Sequence, residues 1–455
     1  MCIATCVNIS KKEKTMTQKD TVAEIWEQHK KVIPGGVVSL NRVIDPMRVF
    51  VKAEGAYLWD SDGTQYIDYH AAFSPYLLGH SDPDVDGAVI QSIKEGKSLI
   101  GAGTTPWEGE LANLLVECIP TLDQVQITNT GSEATFFAVR AARAVTGRDE
   151  VIIMQGGYNG WHNDVAFNLM DPHERIGGYQ PGEELPLYPI TAGMPSSASQ
   201  HVHAVQFNDL DAVENLIKTE NIACIILEPI LQNIGVVKPN PGYLEGLRRL
   251  CDQYGSLLIF DEVKTGFRHA LGGYQSICGV QPDLSVFGKA VANGYPLGVV
   301  GGKREYMEYF NHPQPEKKVL IAGTYSAHPV PTAAAIATLK KLKTQEREIY
   351  GHLEHLGQMM EAGLKELLSQ KDFPSLVARQ GSAFVVYFMD KTPTNWLQIA
   401  QSHDMDLDKK YRTLLIERGV FHFPLPTKQG SISFAHTEAD IEHTIEITEQ
   451  VLDQL

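Results

Sequence analysis

No run of this sequence approaches the ~20 uninterrupted apolar residues that a membrane-spanning helix requires. Cysteine is equally thin, with six in 455 residues, at positions 2, 6, 118, 224, 251 and 278. None forms a CxxC pair, so neither a zinc site nor a disulfide framework is indicated, and a reducing, cytoplasmic compartment is expected. Cys224 and Cys251 stand in apolar or helical contexts and read as small buried hydrophobes. Basic residues are outnumbered, 39 against 55 acidic, for a formal net charge of −16. A polyanion needs a basic footprint, and no Lys/Arg-rich tract supplies one, so no nucleic-acid partner is expected. There is no internal repeat and no low-complexity linker.

What the chain does have is material for a core. Of its residues 43% are hydrophobic and 21% charged, the range of a large globular protein. Residues 1–20 read as a disordered extension. MCIATCVNISKKEKT is too short and too polar for a secretory segment, and Met16 opens an ordinary amphipathic start. The pattern then predicts a helix over 20–32, a break at Pro34-Gly35-Gly36, and a hairpin, AYLWDSDGTQYIDY, turning at Asp62-Gly63.

Through the middle, short apolar strands at 151–155, 203–207, 223–229 and 256–263 alternate with amphipathic helices. That alternation predicts a largely parallel sheet covered on both faces, with its ligand crevice beyond the carboxyl ends of the strands. Past about residue 335, helices over 335–369 and 439–454 bracket a short strand region, FVVYF and SISFAH. The expected organisation is a large domain, 76–335, and a small α+β domain, 336–455, which the N-terminal segment 21–75 joins.

Three elements carry chemistry. Asp261 ends the apolar strand SLLIF and points a carboxylate into the crevice; the plainer alternative is an exposed strand-end acid or a helix cap. In PDLSVFGKAVANGYPLG, Lys289 stands just past a buried strand, between Gly288 and a small-residue stretch. Desolvation and neighbouring positive charge there lower a lysine's pKa and make its amine nucleophilic. In TNTGSEATFF a turn opens a helix whose first N–H groups and dipole suit a phosphate, with Gly131 and Ser132 the natural contacts. The same residues also fit a simple helix start capped by Ser132.

In this order the three elements resemble the class III aminotransferases. The likeness is carried by Leu257-Leu258-Ile259-Phe260-Asp261-Glu262-Val263, Phe287-Gly288-Lys289 and Gly294-Tyr295-Pro296-Leu297-Gly298, and it extends from about residue 30 to the C-terminus. The resemblance implies an α/β enzyme of PLP-dependent transferase fold type I (aspartate-aminotransferase-like). That is a large domain with a mixed, mostly parallel sheet plus a small α+β domain. It implies pyridoxal 5′-phosphate as the cofactor and no metal. Lys289 would carry the cofactor as a Schiff base and move the proton, while Asp261 would pair with the pyridine nitrogen. Val263 and Tyr158 would cover the two ring faces. Gly131 and Ser132 would hold the phosphate, joined by Thr324 from the neighbouring subunit of a homodimer. Glu228 and Asn233 would lie near the O3′ side of the ring.

Within the family, IPGGVVSLNRV resembles the opening of the glutamate-1-semialdehyde aminomutases, which implies that Ser39 and Arg42 receive a substrate carboxylate. The chain departs from that branch at Phe73, a substrate-side position where the branch has tryptophan, and at Lys428, where it has an acidic residue. Two activities stay open. One is an aminotransferase moving an amino group from an amino acid (β-amino acids included) or an amine to an oxo acid by a ping-pong mechanism. The other is a glutamate-1-semialdehyde 2,1-aminomutase, which transfers the group within one molecule. The expected partners are a small-molecule amino donor, an oxo acceptor and a second copy of the chain.

Overall fold

A strand covered on both faces must be apolar along its length, and Ile222–Leu227 and Leu257–Glu262 are buried at every residue. In the computed structural model these two form the centre of a seven-stranded sheet. Its order is Gln124–Thr128, Gly298–Gly302, Leu284–Phe287, Leu257–Glu262, Ile222–Leu227, Glu150–Gln155, Val202–Gln206. The four pairings from Leu284–Phe287 to Val202–Gln206 are parallel, and Gly298–Gly302 runs antiparallel to both its neighbours. The sheet is therefore mixed and mostly parallel, as expected.

The structure describes residues 21–455, and the extension read at 1–20, with Cys2 and Cys6, lies outside them. The described residues form two compact units, 21–52 with 58–65, and 53–57 with 66–455. The first holds the helix Val22–Lys30, closed at its start by a capping box between Thr21 and Glu24. The Pro34–Gly36 break is tight because Gly36, at φ 77°, lies under Trp26; a Cβ there would meet the indole at 2.6 Å. The Asp62-Gly63 turn forms as predicted, with Asp60 Oδ1 accepting from the N–H groups of Asp62 and Thr64.

The second unit contains the sheet and the helices that return between its strands. Tyr243–Tyr254 shows why they pack: Tyr243, Leu244, Leu247, Leu250 and Cys251 make one buried stripe. Cys118, Cys224 and Cys251 are buried free thiols, and burial pushes Cys224 up to about 12. In the C-terminal part, helices Pro329–Thr344, Glu346–Leu368 and Glu438–Leu452 accompany a three-stranded sheet of Leu376–Gln380, Ala383–Tyr387 and Gly430–Ser431.

Two expectations change here. Between the sheet strands the chain forms helices Trp396–Ser402 and Met405–Glu417, where only a strand region was predicted. Their N-caps explain them: Asn395 Oδ1 accepts from the Gln398 N–H at 3.0 Å, and Asp404 Oδ1 from Leu407 at 2.9 Å. The strand in SISFAH is also shorter than read. The Ser433 N–H turns away to His436 Nδ1 at 3.0 Å, which ends the ladder. Among the described residues, no helix is long and apolar enough to cross a membrane, and no cluster of His, Cys, Asp or Glu is placed to hold a metal.

Candidate active site at the carboxyl ends of the central strands

Asp261 lies near the carboxyl end of its strand and is 2% exposed. Asn159 Nδ2 donates to Oδ2 at 2.8 Å, and the Val263 N–H to Oδ1 at 3.0 Å. Two donors do not replace full hydration. Burial, reinforced by the charge of Glu228, pushes the carboxyl up to about 7 against the opposing pull of Asn159, Val263 and Lys289. A cation set against this carboxylate would relieve that cost.

The helix Gly131–Thr146 starts beside it, and here the cap reading is corrected. Thr130, not Ser132, is the N-cap. Its backbone is extended and its hydroxyl accepts the Glu133 N–H at 3.2 Å. Glu133 reaches back to the Asn129 N–H at 2.8 Å. Ser132 is thereby inside the first turn, where N–H groups have no helical partner. Glycines permit the crowding around this point. A Cβ on Gly131 would meet both Val263 methyls at 2.8 Å, and one on Gly160 would meet Ser132 Oγ at 3.0 Å. A Cβ on Gly298 would collide with the Thr130 carbonyl.

One loop, 156–162, ties these pieces together. The Tyr158 hydroxyl lies beside Ser132, and the Tyr158 N–H donates to Glu228 Oε1 at 3.0 Å. The next residue, Asn159, is the one that holds Asp261. Asn159 was not singled out from the sequence, although its place between Tyr158 and Gly160 in a nominated loop was a signal.

Lys289 follows the Leu284–Phe287 strand in left-handed backbone at φ 49°. Its turn is pinned by Asn293, whose Oδ1 accepts the Leu78 N–H and whose Nδ2 donates to the Gly79 carbonyl, each at 3.0 Å. Gly294 is obligatory: φ is 99°, and a Cβ would meet the Tyr76 ring at 2.5 Å. Burial lowers the lysine's pKa, with Arg268 adding to the effect and Asp261 and Glu228 opposing it. Asp261 and Lys289 are thus both pushed toward their neutral forms, and a neutral amine is a nucleophile.

Glu228 is 1% exposed and spends its oxygens on Tyr158 N–H, Asn233 Nδ2 at 2.7 Å and Gln232 N–H at 3.0 Å. Lys264, which the sequence did not single out, and Lys428, the departure from the aminomutase branch, converge on the same segment. Lys264 Nζ donates to the Gln232 carbonyl at 2.7 Å, and Lys428 Nζ to the Asn233 carbonyl at 2.6 Å. Burial holds Lys264 well below the ordinary lysine range and brings Lys428 down to about 8. Their identity as neighbours was invisible in sequence, because they sit far apart in the chain.

The remaining candidates separate. Phe73 is half-buried, its ring 4.3 Å from His70 and 5.1 Å from Phe423. It belongs to a left-handed turn of Ala71, Ala72, Phe73 and Ser74, at φ 46°, 50°, 69° and 78°, each costing about 1–2 kcal/mol. Thr324 is exposed, in a groove that Ser98, Gly101 and Trp107 also line. Ser39 and Arg42 belong to the N-terminal unit, where the Arg42 N–H donates to the Ser39 carbonyl at 2.9 Å.

These residues fit pyridoxal phosphate. A buried carboxylate asks for a cation, a helix start offers N–H groups to a phosphate, and a desolvated amine follows both in the chain.

A model of the aminotransferase class-III family matches residues 40–437. A glutamate-1-semialdehyde 2,1-aminomutase from Methanothrix thermoacetophila is 36% identical over 423 residues, 93% of this chain and 94% of that protein. Among solved structures, an omega-transaminase from Sphaerobacter thermophilus superposes with a TM-score of 0.87 at 30% identity, covering 95% of this chain and 97% of that one. A glutamate-1-semialdehyde aminomutase from Pseudomonas aeruginosa, in complex with PMP, gives 0.84 at 25% identity, with 95% and 94% covered. The chain therefore belongs to the class-III aminotransferases, and its mixed, mostly parallel sheet is that of fold type I.

Proposed function

We propose that the chain is a pyridoxal 5′-phosphate-dependent aminotransferase that takes the amino group of an amino acid or amine and delivers it to an oxo acid by a ping-pong mechanism. The observation that carries this reading is that a buried Asp261 carboxylate and a desolvated Lys289 amine stand at the carboxyl ends of two adjacent parallel strands. When bound, the cofactor supplies an electron sink for the carbon that carries the amino group. Asp261 holds the proton on the pyridine nitrogen, and Asn159 fixes the carboxylate's orientation. Lys289 Nζ takes and returns the proton at the substrate carbon. Gly131 and Ser132 N–H groups bind the phosphate, with Thr324 contributed by the second subunit of a homodimer. Val263 and Tyr158 cover the ring, and Glu228 with Asn233 serves its oxygen side. Ser39 and Arg42 bind a substrate carboxylate, and Phe73 bounds the substrate.

A second reading, glutamate-1-semialdehyde 2,1-aminomutase, is favoured by the 36% identical relative. The two differ in one requirement. An aminotransferase turns over only with an added oxo-acid acceptor, whereas an aminomutase converts its single substrate without one. Assay of a donor panel with and without pyruvate or 2-oxoglutarate decides between them, and acceptor-independent turnover of the semialdehyde would reject the first. Run on Arg42→Ala, the same panel should show amino acids losing roughly ten- to a hundredfold in kcat/KM while amines of similar size do not. Equal losses would remove Arg42 from the substrate site.

Lys289→Ala should abolish turnover. Borohydride treatment of the loaded wild type should leave the cofactor on the peptide containing Lys289, and an adduct elsewhere would refute the assignment. The homodimer rests on exposed apolar residues near Thr324, among them Ile100, Leu320 and Tyr325. Sedimentation should give a dimer for the loaded protein, and a fully active monomer would contradict it.

Asp261→Asn should reduce the rate by orders of magnitude, more than ~3 kcal/mol of transition-state stabilisation, with a smaller loss of cofactor affinity. In cofactor-free protein its stability effect has the opposite sign. The carboxyl titrates at 3.8 unfolded and about 7 folded, so its stabilising contribution is full below the first value and lost as pH rises through the second. Cofactor-free Asp261→Asn should gain on the wild type across that window, by up to roughly 4 kcal/mol at its upper end. Parallel pH–stability curves for the two proteins would rule this out.

A further inference from the structure

Arg268 is 1% exposed and is the largest fully buried side chain among the described residues. No carboxylate pairs with it among them. Its Nη2 donates to the Ser74 carbonyl at 2.6 Å, and its Nη1 to Ser382 Oγ at 3.1 Å and the Ile432 carbonyl at 3.3 Å. A buried guanidinium without a counter-ion is expensive, and burial brings its pKa down to about 10. Such a group persists where its contacts over-determine something else.

The Ser74 carbonyl closes the left-handed turn, and none of the turn's four residues is a glycine. Backbone of this kind is held from outside. Inside the turn, Asp68 Oδ1 accepts the N–H groups of His70 and Ala71, and the Ser74 N–H returns to the His70 carbonyl at 3.1 Å. On the Ser74 side chain, Oγ bonds Ser431 at 2.7 Å and accepts from Gln429 Nε2 at 3.0 Å. Among the described residues, the charged group bonded to the turn's exit is Arg268. It lies on the same segment that runs on from Asp261 and Val263, so one guanidinium joins the cofactor side of the site to the turn carrying Phe73.

We infer that Arg268 is a positioning residue: through the Ser74 carbonyl it holds the left-handed turn and so fixes the Phe73 ring against His70 and Phe423. This rests on the reading of Phe73 as the substrate's boundary. The guanidinium is suited to the task because its planar fork reaches the turn and the Ser382–Ile432 backbone at once, which an ammonium does not do.

Hydrogen exchange on cofactor-free protein tests the clamp without any substrate. In Arg268→Gln the segment around Ser74 should exchange at least about tenfold faster, while the Leu257–Glu262 strand keeps its protection. Arg268→Lys should recover part of the protection. In the loaded enzyme Arg268→Gln should raise KM for amino donors about tenfold with kcat changed less, and Phe73→Ala should add little on top of it. Acceleration spread equally over the central strand would make Arg268 a general fold contact, and additive effects of the two substitutions would break the link to Phe73. Either result overturns the proposal. Should Arg268→Gln fail to fold, Arg268→Lys and Ser382→Ala carry the same exchange criterion. A wild type that turns over no amino donor refutes the functional reading instead, and leaves the exchange result to decide the clamp.

Discussion

A carboxylate buried at the end of an apolar strand is the constraint around which the site is arranged. Among the described residues Asp261 keeps two hydrogen bonds, one of them from the backbone two residues on, and they do not offset the burial that raises its pKa. The other donor, Asn159, is held by the 156–162 loop, which is anchored at Glu228 through the Tyr158 N–H. The loop approaches the helix start because Gly160 has no side chain to meet Ser132, and Gly131 in turn leaves room for Val263. Tyr158, the helix start and Asp261 are thus brought together through backbone proximity rather than through a chain of salt bridges.

Basic groups around this centre outnumber acidic ones. Lys264, Lys289, Lys428 and Arg268 are all desolvated, against the carboxylates of Asp261 and Glu228. Each cation is quieted differently. Lys264 and Lys428 rest on the carbonyls of Gln232 and Asn233, Arg268 on three neutral oxygens, and Lys289 is lowered toward the free amine. An interior with this imbalance favours anionic ligands, which a phosphate and a substrate carboxylate both are. Lys428 belongs to this same cluster and adds a basic group to it.

Much of the architecture could be read from sequence because it follows from local periodicity. Continuous apolar runs such as IACIIL and LLIF demand coverage on both faces, and the alternation with striped helices makes parallel pairing the simplest solution. Asp261 and Lys289 were legible for a related reason: each terminates a buried strand, and strand ends meet in one crevice. The capping residue was misread because Thr130 and Ser132 are equivalent by composition, and only the extended backbone at Thr130 separates them. The helices at Trp396–Ser402 and Met405–Glu417 were overlooked although Asn395 and Asp404 signalled their starts.

By itself the sequence determined the strand-helix order, the two strand-end groups and the glycines where elements crowd. Only the tertiary structure decided that Asn159 holds Asp261, that Lys264 and Lys428 share one loop with Glu228, and that Arg268 closes the turn bearing Phe73. The reason is physical. Periodicity records which face of an element is buried, but a contact between distant segments depends on where whole elements pack, and no local pattern encodes that.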